Sequence, residues 1–399
     1  MTSYLSYVAI AIIALAFSSC KKDLVENPNL AEYTSDVEQF EAVWNGLNTS
    51  YILWPIDTTD WDDVYSKYHP IFLEMENEPD EVWKMTWKEL ASTLIDHHLE
   101  IHLERPSTKT KISINPGLDE IMSRAYFHFP KNTIDKLGMI LKLELNGRLK
   151  DVKTYHEGNL LICSGVLDED IAYIYFSNFK DIIIDEVEPF QHFKQYVASQ
   201  DIKTAIIDLR GNPGGKALNP NYLTSCFSSR TLTVGCNQTK TGLGRYDLGP
   251  KVPYKIGAGV TIDDVMLEGQ DRDIPVIVVC DLFSGSAAEI ATIAIKQLPH
   301  SYMVGERTWG ATCVLNNDFG LFYSGSFGDS QMNDNNWIGH GHYVYTPKYL
   351  FSGIDGTIYE GIGITPDKEC LFDQQAWNNG IDNQLETAIS FAKSKITEN

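Results

Sequence analysis

Between about Glu38 and Leu103, apolar residues recur every three or four positions in FEAVWNGL, DWDDVYSKY and EVWKMTWKELASTLIDHHLEIHL, which is the period of an amphipathic helix. That pattern predicts an N-terminal helical region. Residues 104–150 are more mixed: RPSTKTK reads as a loop and DEIMSRAYFHF as a helix, so the stretch reads as a connector. Beyond it the pattern changes to short strand-like runs, NLLICSGVL, IAYIYFSNF, TAIIDLR, TLTVG, IPVIVVCD and YMVGE. Two helical segments, EVEPFQHFKQYVASQ and AAEIATIAIKQL, lie among them. Strands alternating with helices predict an α/β architecture with a largely parallel central sheet. The stretch from Gly320 to Tyr343, crowded with Gly, Asn, Asp and Ser, reads as surface excursions near a site. There is no internal repeat or low-complexity tract.

The first residues follow a different logic. The apolar run from Val8 to Phe17 is too short for a permanent membrane span and fits the core of a signal peptide. The Ser18-Ser19-Cys20 end resembles a bacterial lipobox, which implies removal of residues 1–19 and lipidation of Cys20. The expectation is an exported envelope lipoprotein, on the periplasmic or outer-membrane face, with its body anchored to a membrane by lipid.

With 399 residues and 43% apolar content, the chain is long enough to bury one large core or two ordinary ones. Its 54 acidic residues outnumber the 32 basic ones, for a formal net charge of -22, which argues against a nucleic-acid partner. Besides Cys20 there are Cys163, Cys226, Cys236, Cys280, Cys313 and Cys370. None stands at metal-ligand spacing, so no structural zinc is expected; Cys226 and Cys236 are the pair that an oxidising compartment could bridge.

Candidate chemistry gathers at DLFSGSAAEIATIAI, residues 281–295, where an apolar strand turns into a helix and sets Ser286 at the corner. The first N–H groups of a helix are unpaired and point at whatever occupies that corner. A serine there has two readings. It can cap the helix, with Glu289 three residues on completing a capping box, or it can attack a carbonyl while the N–H groups hold the oxyanion. A second strand, TAIIDLRGNPGG, ends in a glycine-rich turn that lets the backbone approach a ligand closely.

TAIIDLRGNPGG, SGSAAE and VGERTWGAT, in that order and at suitable distances, resemble the S41 peptidases, the tail-specific or C-terminal-processing proteases. The resemblance extends to the N-terminal helical segments. It implies a ClpP/crotonase-like ββα core at residues 131–399 behind a helical region at 20–130. Too few residues separate Leu103 from Cys163 for a full PDZ domain. The family's Ser/Lys scheme needs a lysine where this chain has Ala311, and Lys296 reads as a solvated side chain. The tricorn-like scheme uses a histidine and a late glutamate. DHHLEI places His98 in an L-x-D-x-H pattern, while His97 and His102 read as structural, and DGTIYEGIGITPD supplies Glu360, with Asp367 as a turn or cap residue. The implied activity is peptide-bond hydrolysis of a peptide or protein through an acyl-enzyme on Ser286. His98 serves as general base, Glu360 orients it, and no cofactor takes part. The oxyanion donors are expected at Ala287 and at Gly214 or Gly215. The rival readings are a catalytically inactive ligand- or peptide-binding lipoprotein of the same fold and, more remotely, a crotonase-like acyl-CoA enzyme.

Overall fold

The computed structural model describes residues 33–124, 133–180, 182–313 and 342–398, with three two-residue strands between 327 and 337. Cys20, the expected signal peptide at residues 1–19 and most of the 320–343 stretch therefore lie outside the described residues. Helix α1 (Asp36–Ser50) starts at Ser35, whose hydroxyl accepts from the Glu38 N–H at 3.3 Å. Helix α2 (Trp61–Glu74) starts at Asp60, which caps the N–H groups of Asp62 and Asp63 at 3.1 Å each. Both starts satisfy otherwise orphaned donors. With α3 (Asp80–Ala91) these helices bury Phe40, Trp61, Phe72, Trp83 and Trp87. Phe40 stacks on Phe72 at 4.9 Å between ring centroids.

The helical reading of residues 81–103 is corrected at its end. Helix α3 stops at Ala91, residues 92–99 form turns, and Glu100–Glu104 is a strand, β1. Ile101 and Leu103 point into the core, an alternation of period two hidden at the end of a helical pattern. What makes it a strand is its partners. It pairs antiparallel with β2 (Lys111–Ile114), and its other edge is taken by a strand from residues 342–345. The expected helix after Asp119 forms as α4 (Pro116–Arg124), and the rest of DEIMSRAYFHF lies outside the described residues. Helix α5 (Thr133–Leu145) follows.

The central sheet has seven strands. In chain order they are β3 (Leu149–Glu157), β4 (Leu160–Leu167), β5 (Ile171–Phe176), β6 (Thr204–Asp208), β7 (Val276–Cys280), β8 (Ser301–Gly305) and the two-residue β9 (Lys368–Glu369). Spatially they run β9-β8-β7-β6-β5-β4-β3. The pairings from β9 to β5 are parallel, and β4 and β3 add an antiparallel edge. Helix α6 (Glu188–Ala198) connects β5 to β6, and α7 (Ala287–Ile295) connects β7 to β8. One hydrophobic cluster joins the N-terminal helices to α6, α7 and one sheet face, with members from Phe40 to Ile364. On the opposite face, α5 and the C-terminal helix α8 (Asn383–Glu398) cover Tyr173, Ile206 and Val279 with Ile140, Leu385 and Ile389.

The six cysteines of the described residues are free thiols, Cys226 and Cys236 among them. No helix among the described residues is long and apolar enough to cross a membrane. Three neighbouring parallel strands, β8, β7 and β6, deliver their carboxyl ends to one edge of the sheet, where the connections to residues 306–312, 281–286 and 209–215 begin. The carboxyl edge of a parallel sheet is the usual place for a ligand crevice.

Candidate active site

At the end of β7 the chain makes the corner anticipated from the sequence. Ser286 is the residue before α7 and has φ 52° and ψ -120°. A side chain other than glycine seldom adopts that conformation, which costs on the order of 1–3 kcal/mol and persists only where surrounding contacts enforce it. Those contacts are specific. Ser284, fully buried, donates its hydroxyl to the Leu209 carbonyl at 2.8 Å and accepts from the Asp281 N–H at 3.0 Å. The Gly285 N–H donates to the Asn212 carbonyl at 2.9 Å. Ser284 therefore locks the corner, while Ser286 beside it is half-buried.

Glu289 holds the corner from inside the helix. Its carboxylate, fully buried, accepts four hydrogen bonds: from the Ser286 N–H at 3.1 Å, the Thr308 hydroxyl at 2.6 Å, and the Gly310 and Ala311 N–H groups at 2.8 Å each. Thr308 in turn accepts from the Ile364 N–H at 2.7 Å. The Glu289 half of the capping box is present, and the cap carboxylate also ties together the loop after β8 and, through Thr308, the segment that carries Glu360. Burial pushes Glu289 up to about 7, against the pull of its donors.

The glycine turn after β6 lies against this corner. A Cβ on Gly214 would fall 2.7 Å from both the Ala287 nitrogen and the Ser286 Cβ, and Gly214 has φ 94°, so glycine is required twice over. The Gly214 N–H donates to Asn212 Oδ1 at 2.9 Å. Among the described residues no hydrogen bond takes the N–H of Gly215 or of Ala287.

Asp96, His98 and Glu360 each offer a donor atom within 4.8 Å of the others. His98 follows α3 in a turn whose Asp96 carboxylate accepts the His98 N–H at 2.8 Å and the Thr346 hydroxyl at 2.8 Å. Glu360 Oε2 accepts the Cys313 N–H at 2.6 Å. Glu360 Oε1 and His98 Nδ1 are buried without a hydrogen-bond partner. Desolvation lowers His98 to about 4, with the neighbouring His97 adding to the effect, so the imidazole is neutral at pH 7. Burial, and then the charge of Asp96, holds Glu360 well above the usual carboxylate range.

The two halves meet across Trp309. A Cβ on Gly285 would fall 2.4 Å from the Trp309 ring, and the His98 and Trp309 rings are 6.4 Å apart between centroids. The structure brings Ser286, Ala287 and Gly214 together, brings His98 and Glu360 together, and sets both groups against one indole. A Cβ on Gly215 would lie 2.2 Å from the Lys180 nitrogen, so that position too is reserved for glycine. His97 Nδ1 bonds the Trp309 carbonyl at 2.9 Å, and His102 pairs with Glu100 at 3.2 Å on β1. Lys296 pairs with Asp367 at 2.8 Å. Asp96, Trp309 and Cys313 received no site role from the sequence. Asp96 was visible as the Asp of the L-x-D-x-H pattern, whereas nothing in the spacing of Cys313 signalled contact with Glu360.

A largely parallel sheet that delivers a strained serine into a helix, near an imidazole–carboxylate cluster, defines an α/β protein with its candidate site at the carboxyl edge of the sheet. The model of peptidase family S41 matches residues 170–370, and the chain belongs to that family. It is 23% identical over 208 residues to the Tricorn protease of Thermoplasma volcanium, a match covering 52% of this chain and 16% of that protein. It is 31% identical over 126 residues to Tricorn protease homolog 1 of Streptomyces coelicolor, covering 31% of this chain and 10% of the relative. This chain thus spans only a small part of the length of those relatives. Among solved structures, a Parabacteroides merdae protein assigned as a peptidase superposes with a TM-score of 0.63 at 21% identity, covering 90% of this chain and 97% of the other. That likeness concerns the fold.

Proposed function

We propose that the chain is an exported serine endopeptidase that hydrolyses a peptide or protein substrate through an acyl-enzyme on Ser286. The observation that carries this reading is the strained Ser286 at the carboxyl edge of the sheet, across Trp309 from a neutral, buried His98. In the first step Ser286 Oγ attacks the scissile carbonyl carbon while His98 takes the hydroxyl proton. The tetrahedral oxyanion is held by the Ala287 N–H and, since the Gly214 N–H already serves Asn212, by the Gly215 N–H. His98 then gives its proton to the leaving amine. Water, deprotonated by the same imidazole, releases the acyl group and restores the serine.

Glu360 orients His98 through Nδ1 and, ionised as the imidazolium forms, offsets its charge, a role suited to a buried oxygen with no other partner. A base lowered to about 4 is unprotonated at neutral pH and gains proton affinity as the carboxylate draws close to it. The envelope location and the lipid anchor at Cys20 rest on the leader sequence.

The reading is tested by labelling the detergent-solubilised full chain with a fluorophosphonate. Wild type should label, whereas Ser286→Ala should not, and His98→Ala should label at least about 10³-fold more slowly, as expected for loss of a general base. A folded wild-type chain that never labels would support the ligand-binding alternative instead.

A further inference from the structure

We infer that the buried Asp96, His98 and Glu360 cluster binds a divalent cation of the zinc class, and that the bound ion reversibly silences Ser286 by occupying its base. The silencing half rests on the serine-peptidase reading of the same site; the binding half does not. The three donor atoms already lie within 4.8 Å of one another. Zinc bonds to nitrogen and oxygen of about 2.0–2.2 Å require donors within about 4 Å of each other, so small side-chain rotations close the gap.

Two of the donors are vacant. Glu360 Oε1 and His98 Nδ1 are buried with no hydrogen-bond partner, and Glu360 is only 2% exposed. Asp96 accepts the His98 N–H on one oxygen and the Thr346 hydroxyl on the other, and a carboxylate oxygen can bind a metal beside such a bond. The Cys313 thiol, also buried, packs against the Glu360 carboxylate and adds a soft donor beside the cluster. Imidazole and carboxylate with a thiol in reach suit zinc better than the oxygen-seeking calcium or magnesium.

Charge points the same way. Asp96 and Glu360 bring two carboxyl groups to one buried spot beside the imidazole. Among the described residues no ion pair joins either carboxylate to a lysine or arginine. The catalytic cycle supplies the missing positive charge only briefly, as imidazolium. A donor set arranged to receive that charge will also hold a cation brought from solution. A metal on Nδ1 removes the Nδ1–H that Glu360 must hold and draws electron density from the ring, so His98 can no longer take the serine proton.

The test uses the full chain in detergent, stripped with EDTA and desalted. Zinc chloride is titrated by calorimetry, and fluorophosphonate labelling is followed over the same concentrations. Expected are one Zn²⁺ per chain, a labelling rate reduced at least tenfold as the site fills, and full recovery on renewed EDTA. Binding itself needs no activity, so His98→Ala and the conservative Glu360→Gln should each weaken it at least tenfold, while Ser286→Ala should bind as wild type does. Unchanged zinc affinity in both variants would place the ion elsewhere and overturn the inference. Labelling that is indifferent to a filled site would overturn the silencing half. A chain that never labels yet binds zinc through His98 and Glu360 would end the peptidase reading and leave the metal site standing.

Discussion

Glu289 does two jobs with one carboxylate. It accepts from the N–H of Ser286 on one side and from the Thr308, Gly310 and Ala311 loop on the other, four donors for two oxygens. An amide at this position keeps the shape but turns an NH₂ donor toward N–H donors. Glu289→Gln should therefore leave two donors unsatisfied, at roughly 1–3 kcal/mol each, and relax the φ of Ser286. The expected outcome is a fluorophosphonate labelling rate lowered about 10²-fold, the equivalent of about 2.7 kcal/mol, with the chain still folded by circular dichroism. A variant that labels at the wild-type rate but melts earlier would reduce Glu289 to a helix cap.

At the level of elements, the turn after β6 is anchored by charges buried beneath the sheet. Asp208, the last residue of β6, accepts from Arg210 and Lys136, and Arg210 also reaches Asp382 at 2.7 Å. Lys136, from α5, sits 4.3 Å from the Tyr175 ring centroid. Asp208 and Arg210 of the DLRGNPGG turn thus fasten the site-bearing loop to α5 and to the start of α8. Arg210→Gln would strand the buried Asp208 and Asp382 carboxylates and should cost about 3–5 kcal/mol. Lys136→Met leaves Asp208 its arginine and should cost clearly less. Urea unfolding of the two variants side by side checks the order; equal losses would show that Arg210 is not the centre of the network.

For the whole molecule, the buried acids set a pH dependence opposite to the common one. Burial raises Asp281 to about 6 and Glu289 to about 7. Between about pH 4 and 7 these groups hold protons in the folded chain that the unfolded chain has released, so their stabilisation is full at the low end and is lost as pH rises through the folded values. His98, lowered to about 4, works the other way over the same interval, but Asp96, raised to about 7, and Glu360, raised further, act with the other two acids. The formal charge of -22 adds self-repulsion as ionisation completes. Asp208 and Asp382, held below the usual range by Arg210 and Lys136, lose their contribution only as pH falls through their lowered values. The thermal midpoint should therefore be higher at pH 5 than at pH 8. A higher midpoint at pH 8 would mean that His98 and the paired carboxylates dominate.

Local pattern alone determined the strand runs of the central sheet, the helices that join them, the serine corner and the glycine turn, because period, glycine content and capping are encoded within a few residues. It also marked out His98 and Glu360, through resemblance to family motifs. Tertiary structure decided what depends on distant partners. Residues 100–104 are a strand because residues 111–114 and 342–345 offer it edges, although its own sequence continues a helical pattern. The Gly214 N–H is spent because Asn212 folds back on it, and Lys136 is buried because Asp208 and Tyr175 receive it. The placement of Asp96 and Cys313 around Glu360, 264 and 47 residues away in the sequence respectively, follows from packing the helical region against the sheet edge. Burial and long-range pairing are properties of the assembled core, and no short window of sequence contains them.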